Sequence, residues 1–116
     1  FYRADRIKSI NSKIPRKRIR KSFGWCDDPN SEYYNKLIYF PFRKSAEKLY
    51  LKENIYDLIL VLNYNTNPVI KNKGSAIFLH VANRKFTSTK GCIAIRKGDF
   101  IKILPNITKK TKIFIT

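Results

Sequence analysis

The chain contains a single histidine, His80, and one of its two cysteines, Cys92, follows it on the far side of a short polar stretch. Thiols react as thiolates, and an imidazole within hydrogen-bond reach is the usual means of forming one near neutral pH. The histidine closes the run Gly74-Ser75-Ala76-Ile77-Phe78-Leu79-His80, and the cysteine sits in Thr89-Lys90-Gly91-Cys92-Ile93-Ala94-Ile95. A glycine beside the sulfur lets backbone approach a reacting carbonyl. These residues are the minimum for acyl transfer through a thioester. A Cys/His pair at arbitrary spacing is more often structural, because a free cysteine is usually packed.

The elements that must position the pair follow from patterning. Tyr56–Tyr64, rich in β-branched and aromatic residues, reads as a central strand, and Ser75–Val81 as a second strand ending at His80. Ala82–Lys90 reads as a loop and Cys92–Ile95 as the next strand. Joining neighbouring strands in this way sets His80 opposite Cys92, at the ~4.5–5.5 Å Cβ separation of cross-strand partners. Turns are expected around Pro15 and Gly24, in Asp27–Ser31 and in Asn65–Pro68. Ser45–Leu51 suggests a short helical turn, Asp99–Leu104 a short helix ended by Pro105, and Lys112–Ile115 a final edge strand. The fold class is mostly β with one or two short helices.

The runs around His80 and Cys92 resemble the signature of the L,D-transpeptidase (YkuD-type) catalytic domain of bacterial peptidoglycan enzymes. Gly24-Trp25-Cys26-Asp27-Asp28-Pro29, Tyr34-Asn35 and Tyr56–Leu62 extend the likeness to one branch of that family and to nearly the whole chain. The resemblance implies a YkuD-like β-sandwich or barrel-type domain spanning residues 1–116 and lacking N-terminal strands. It implies Cys92 as nucleophile, His80 as general base, and backbone amides of Gly91 and Cys92 as oxyanion hole. No cofactor or metal is implied. A backbone carbonyl is expected to orient His80, since only Asn83 follows it closely as a polar partner. Thr89, Lys90, Trp25, Asp28 and Tyr34 are candidate substrate contacts. For Asp27, Asp28, Tyr34 and Asn35 a structural role in tying down a turn is favoured over a cleft-lining one. Two positions depart from the common pattern: Lys90 stands where many members have a second histidine, and Ala94 where many have arginine.

The implied activity is peptidoglycan cross-linking in the bacterial cell envelope (periplasm), with stem peptides as partners. Hydrolysis of the same bond, an L,D-carboxypeptidase activity, is the alternative. The formal charge of +17 over 116 residues far exceeds the ~2–8 usual for a small domain. It leaves open a solvated lysine-rich surface and an acidic envelope polymer, both ahead of a basic nucleic-acid binder, for which no motif is present. Lys90, Arg96 and Lys97 are expected to favour the Cys92 thiolate. With 2 Cys and 1 His, a standard four-ligand zinc site is out of reach without carboxylates. Cys26 and Cys92 could pair only by silencing the nucleophile, so Cys26 reads as a packed thiol. No apolar run approaches the ~20 residues of a membrane-spanning helix.

Overall fold

The computed structural model describes residues 1–83 and 92–114. Among the described residues, six short strands form two three-stranded sheets. In the first, β1 (Phe23–Cys26) is central, flanked antiparallel by β2 (Leu37–Tyr39) and β3 (Ala46–Lys48). In the second, β5 (Phe78–Val81) is central, antiparallel to β4 (Ile59–Val61) and parallel to β6 (Ile93–Ile95). A helix α1 (Lys97–Ile103) follows, continued by a 3-10 turn over Leu104–Asn106.

Alternation along β5 explains the layering. Phe78 faces an inter-sheet core with Phe23, Trp25, Leu49, Tyr56 and Ile59. Leu79 and Val81 face the opposite way, onto Ile7, Leu58, Phe100 and Leu104. Both faces of the sheet are therefore covered, and all four β5 residues are buried. Continuous apolar character is what a strand buried on both sides requires. Tyr56 and Trp25 both meet Phe78 edge-on, with ring centroids 5.9 and 5.3 Å apart.

Several expectations are corrected. The strand within Tyr56–Tyr64 is only Ile59–Val61 and lies at the sheet edge. Gly24 lies inside β1, not in a turn, because Phe40 packs across it: a Cβ there would stand 2.5 Å from the Phe40 ring. Ala46–Lys48 is strand where a helical turn was expected, recruited by pairing with Gly24–Cys26. Pro105 does not stop α1 abruptly. It sits in the first turn of the 3-10 extension, where its missing N–H costs nothing. Residues 112–114 form no strand, and Ile115 lies outside the described residues. The extended N-terminal segment contributes only isolated bridges, Tyr2 to Arg18 and to Leu58.

One buried carboxylate fastens the second sheet to its surroundings. Asp57, 1% exposed, receives Arg6 at 2.7 Å and Lys97 at 3.1 Å. The N-terminal segment and the start of α1 are thereby tied to the approach to β4. A buried carboxylate of this kind needs both its partners, because removing one leaves charge uncompensated.

Candidate active site

β5 and β6 are neighbours, as the sequence indicates, but they run parallel. His80 is opposite Ala94 on one side and Ile59 on the other, so it is not the cross-strand partner of Cys92. Cys92 lies one step before Ile93, whose partner is Leu79. That step brings the thiol alongside Phe78, two residues before His80 and on the same strand face. Both side chains thus enter the layer occupied by Tyr56. The Tyr56 ring meets the imidazole edge-on with centroids 5.6 Å apart, and Cys92 packs against the core to which Tyr56 belongs.

His80 is 4% exposed. Its Nδ1 lies 2.9 Å from the Val81 carbonyl oxygen. A carbonyl can only accept, so Nδ1 carries the hydrogen and Nε2 of the neutral ring is left with its lone pair. The backbone carbonyl expected to orient the ring is that of Val81.

The half-buried thiol of Cys92 donates to the Ala76 carbonyl oxygen at 3.1 Å. Burial pushes the thiol up from its ordinary value. The Phe78 backbone N–H opposes that shift, and the Glu47 carboxylate reinforces it. The expectation for Lys97 is corrected: its ammonium is held by Asp57, so it does not serve the thiolate. Lys90 lies outside the described residues, and the negative charge of Glu47 acts against the thiolate.

Ala76 is held unusually. Its φ is +56°, a left-handed conformation that costs a non-glycine residue roughly 1–3 kcal/mol and tends to occur at functional sites. Asn35 fixes it there. The Asn35 Oδ1 accepts hydrogen bonds from the Ala76 backbone N–H at 3.1 Å and from Trp25 Nε1 at 2.9 Å. Its Nδ2 donates to the carbonyls of Tyr64 and Asn65 at 3.2 and 2.6 Å. The strained alanine and the indole therefore share one amide, and the carbonyl of that alanine receives the thiol.

The candidate substrate contacts are distributed as follows. Trp25 and Tyr34 are buried at 6% exposure each. The indole N–H is taken by Asn35, and the Tyr34 hydroxyl accepts the Gly74 backbone N–H at 3.1 Å. Asp28 shapes its own turn, its Oδ1 accepting the Asn30 N–H at 2.9 Å. Asp27 accepts from Ser45 Oγ at 2.6 Å. Thr89, Lys90 and Gly91, the last expected in the oxyanion hole, lie outside the described residues. Cys26 is fully buried, and no disulfide joins it to Cys92.

Sequence patterning does not single out Glu47 or the contact of Tyr56 with His80. The Tyr56 hydroxyl donates to Glu47 Oε1 in a short hydrogen bond, and burial together with that bond drives the phenol far above its ordinary range. Once Ala46–Lys48 is a strand paired with Gly24–Cys26, Glu47 falls opposite Trp25. That pairing was the signal available for it. A separate cavity of about 1150 Å³, lined by Ile10, Ile14, Leu58, Leu60, Leu104 and Ile107 among others, contains neither His80 nor Cys92.

No described helix is long and apolar enough to cross a membrane. No curated protein and no solved structure matches the chain. The family model for the L,D-transpeptidase catalytic domain matches residues 2–115, and with a mostly β architecture to accompany it the chain belongs to the YkuD family.

Proposed function

We propose that the chain is a cysteine-dependent L,D-transpeptidase of the bacterial cell envelope. It acts on peptidoglycan stem peptides, with Cys92 as nucleophile and His80 as base. The observation that carries this reading is the His80 tautomer. Val81 holds Nδ1–H, so Nε2 is the nitrogen left to take a proton, in the layer that also receives the thiol.

In the first step Nε2 takes the Cys92 proton as sulfur attacks the carbonyl that follows an L-configured centre. The Ala76 hydrogen bond to the thiol is given up in this step, and the Phe78 N–H favours the thiolate that forms. The backbone amides of Gly91 and Cys92 receive the oxyanion, at roughly 2.7–4 kcal/mol per donor in comparable sites. The C–N bond breaks, the imidazolium protonates the departing D-amino acid, and a thioester remains. An amine from a second stem then attacks. His80 accepts its proton and returns it to sulfur, releasing the cross-linked peptide and the free thiol.

A thiol displaced upward by burial is unreactive until the base acts, which confines acylation to substrates that fit beside His80. The test is incubation with a tetrapeptide stem and an amine acceptor, with products resolved by mass. Release of the terminal D-amino acid with a new amide is expected. Release without a new amide would assign the hydrolytic alternative, and no release would refute the assignment.

A further inference from the structure

We propose that Glu47, anchored by Tyr56, forms a cation-receiving subsite beside Cys92 that favours substrates presenting a primary ammonium near the reacting carbonyl. The inference rests on the reading of Cys92 as nucleophile and adds a specificity element to that site.

Three observations carry it. Glu47 lies on β3 opposite Trp25, and one carboxylate oxygen accepts the Tyr56 hydroxyl, whose ring lies against His80. The carboxylate is thus fixed relative to the imidazole, not free on a mobile side chain. Glu47 and Cys92 are both half-buried, so each keeps access to solvent; Tyr56 hydrogen-bonds Glu47, and Cys92 packs against the core cluster to which Tyr56 belongs. Glu47 also repels the thiolate of Cys92.

That last effect opposes nucleophile activation in the empty site, and an arriving cation reverses it. An ammonium seated on Glu47 offsets the carboxylate's share of the upward displacement of the thiol, which adds to the larger effect of burial. It contributes binding energy and nucleophile activation together. In a chain with 25 Lys and Arg against 8 Asp and Glu, general surface electrostatics repel cations. Attraction of an ammonium at this point would be a local property.

Two small thiol reagents test the idea without using transpeptidase activity. Aminoethyl methanethiosulfonate carries an ammonium, and methyl methanethiosulfonate is neutral. In each, the Cys92 sulfur displaces methanesulfinate and forms a mixed disulfide. Rates are measured on the full chain, with sites assigned by peptide mass so that Cys26 is kept separate. The ratio of cationic to neutral rate should fall about 3–10-fold in Glu47→Gln, the scale of one opposing unit charge in a partly solvated cleft. Glutamine preserves the acceptor for the Tyr56 hydroxyl. Tyr56→Phe, which unties the carboxylate while keeping the ring, should reduce the ratio less.

An unchanged ratio in Glu47→Gln, with Cys92 still labelled by the neutral reagent, would overturn the subsite and leave the nucleophile assignment standing. Failure of either reagent to reach Cys92 would also overturn it. With stem peptides, acylation that distinguishes free from acetylated donor amines only when Glu47 is present places the ammonium on the donor. A Glu47-dependent partition between amine and water places it on the acceptor. Indifference in both assays refutes the proposal.

Discussion

Replacing Asn35 with alanine is the sharpest structural perturbation of the site. The amide accepts from Trp25 Nε1 and the Ala76 N–H, and donates to two loop carbonyls. Trp25 and Ala76 are 6% and 7% exposed, so their N–H groups would be orphaned in the interior. Each orphan costs about 1–3 kcal/mol. The loop carbonyls of Tyr64 and Asn65 can turn to water and add little. Asn35 itself sits at φ +58°, which asparagine tolerates and alanine resists by about 1 kcal/mol. The sum is about 3–7 kcal/mol, a large share of the ~5–15 kcal/mol typical of a folded domain. Urea unfolding followed by far-UV circular dichroism measures it as a lower midpoint with an unchanged slope. Asn35→Gly removes the same hydrogen bonds but relieves the backbone, and should recover about 1 kcal/mol of the loss. A loss below about 1 kcal/mol in Asn35→Ala would refute the claim that this amide holds the indole and the strained Ala76.

Other outcomes follow from the same geometry. Gly24→Ala forces a methyl to within 2.5–2.9 Å of Phe40 and Ile38 side-chain atoms, and should destabilise by about 1–3 kcal/mol in thermal melts, with little effect on the intrinsic chemistry of Cys92. In His80→Gln, iodoacetamide labelling of Cys92 should be slow at pH 7 and keep rising with pH beyond 9. A thiol raised by burial has less thiolate at any given pH, and without the imidazole no base is left to take its proton at pH 7. Undiminished labelling at pH 7 would remove His80 as the activating group. Binding of this basic chain to DNA or RNA should weaken steeply, by roughly 10³–10⁵ between 50 and 200 mM salt for six to ten phosphate contacts. Cys92 acylation should change far less over the same series, which filter binding and mass spectrometry can follow on one preparation.

The proposed chemistry is legible in the sequence because Cys92 and His80 are rare residue types in distinctive local contexts. The strand ending near His80 was readable from its continuous apolar run. The parallel pairing of β5 and β6 was not, since periodicity specifies a strand but not its direction. The fate of Ala46–Lys48 was hidden for a related reason: Ala-Glu-Lys favours helix locally, and pairing with β1 overrides that propensity. Glu47 escaped notice in consequence, because its relation to the site exists only once β3 is formed. The expected help from Lys97 failed because sequence proximity to Cys92 does not reveal Asp57, which holds that ammonium. Asn35 was recognised as a turn-tying residue, but its reach to Ala76 depends on a long-range contact that spacing cannot show.

The central claim, that Cys92 is an acylable nucleophile served by His80, is tested most directly by intact-mass spectrometry after exposure to a carbapenem-type β-lactam. Ring opening by the sulfur adds the whole reagent mass, and peptide mapping locates it. The account predicts one adduct, at Cys92, retained in Cys26→Ala, absent in Cys92→Ala and slow to form in His80→Gln. An unmodified chain, or an adduct mapped to Cys26, would contradict it.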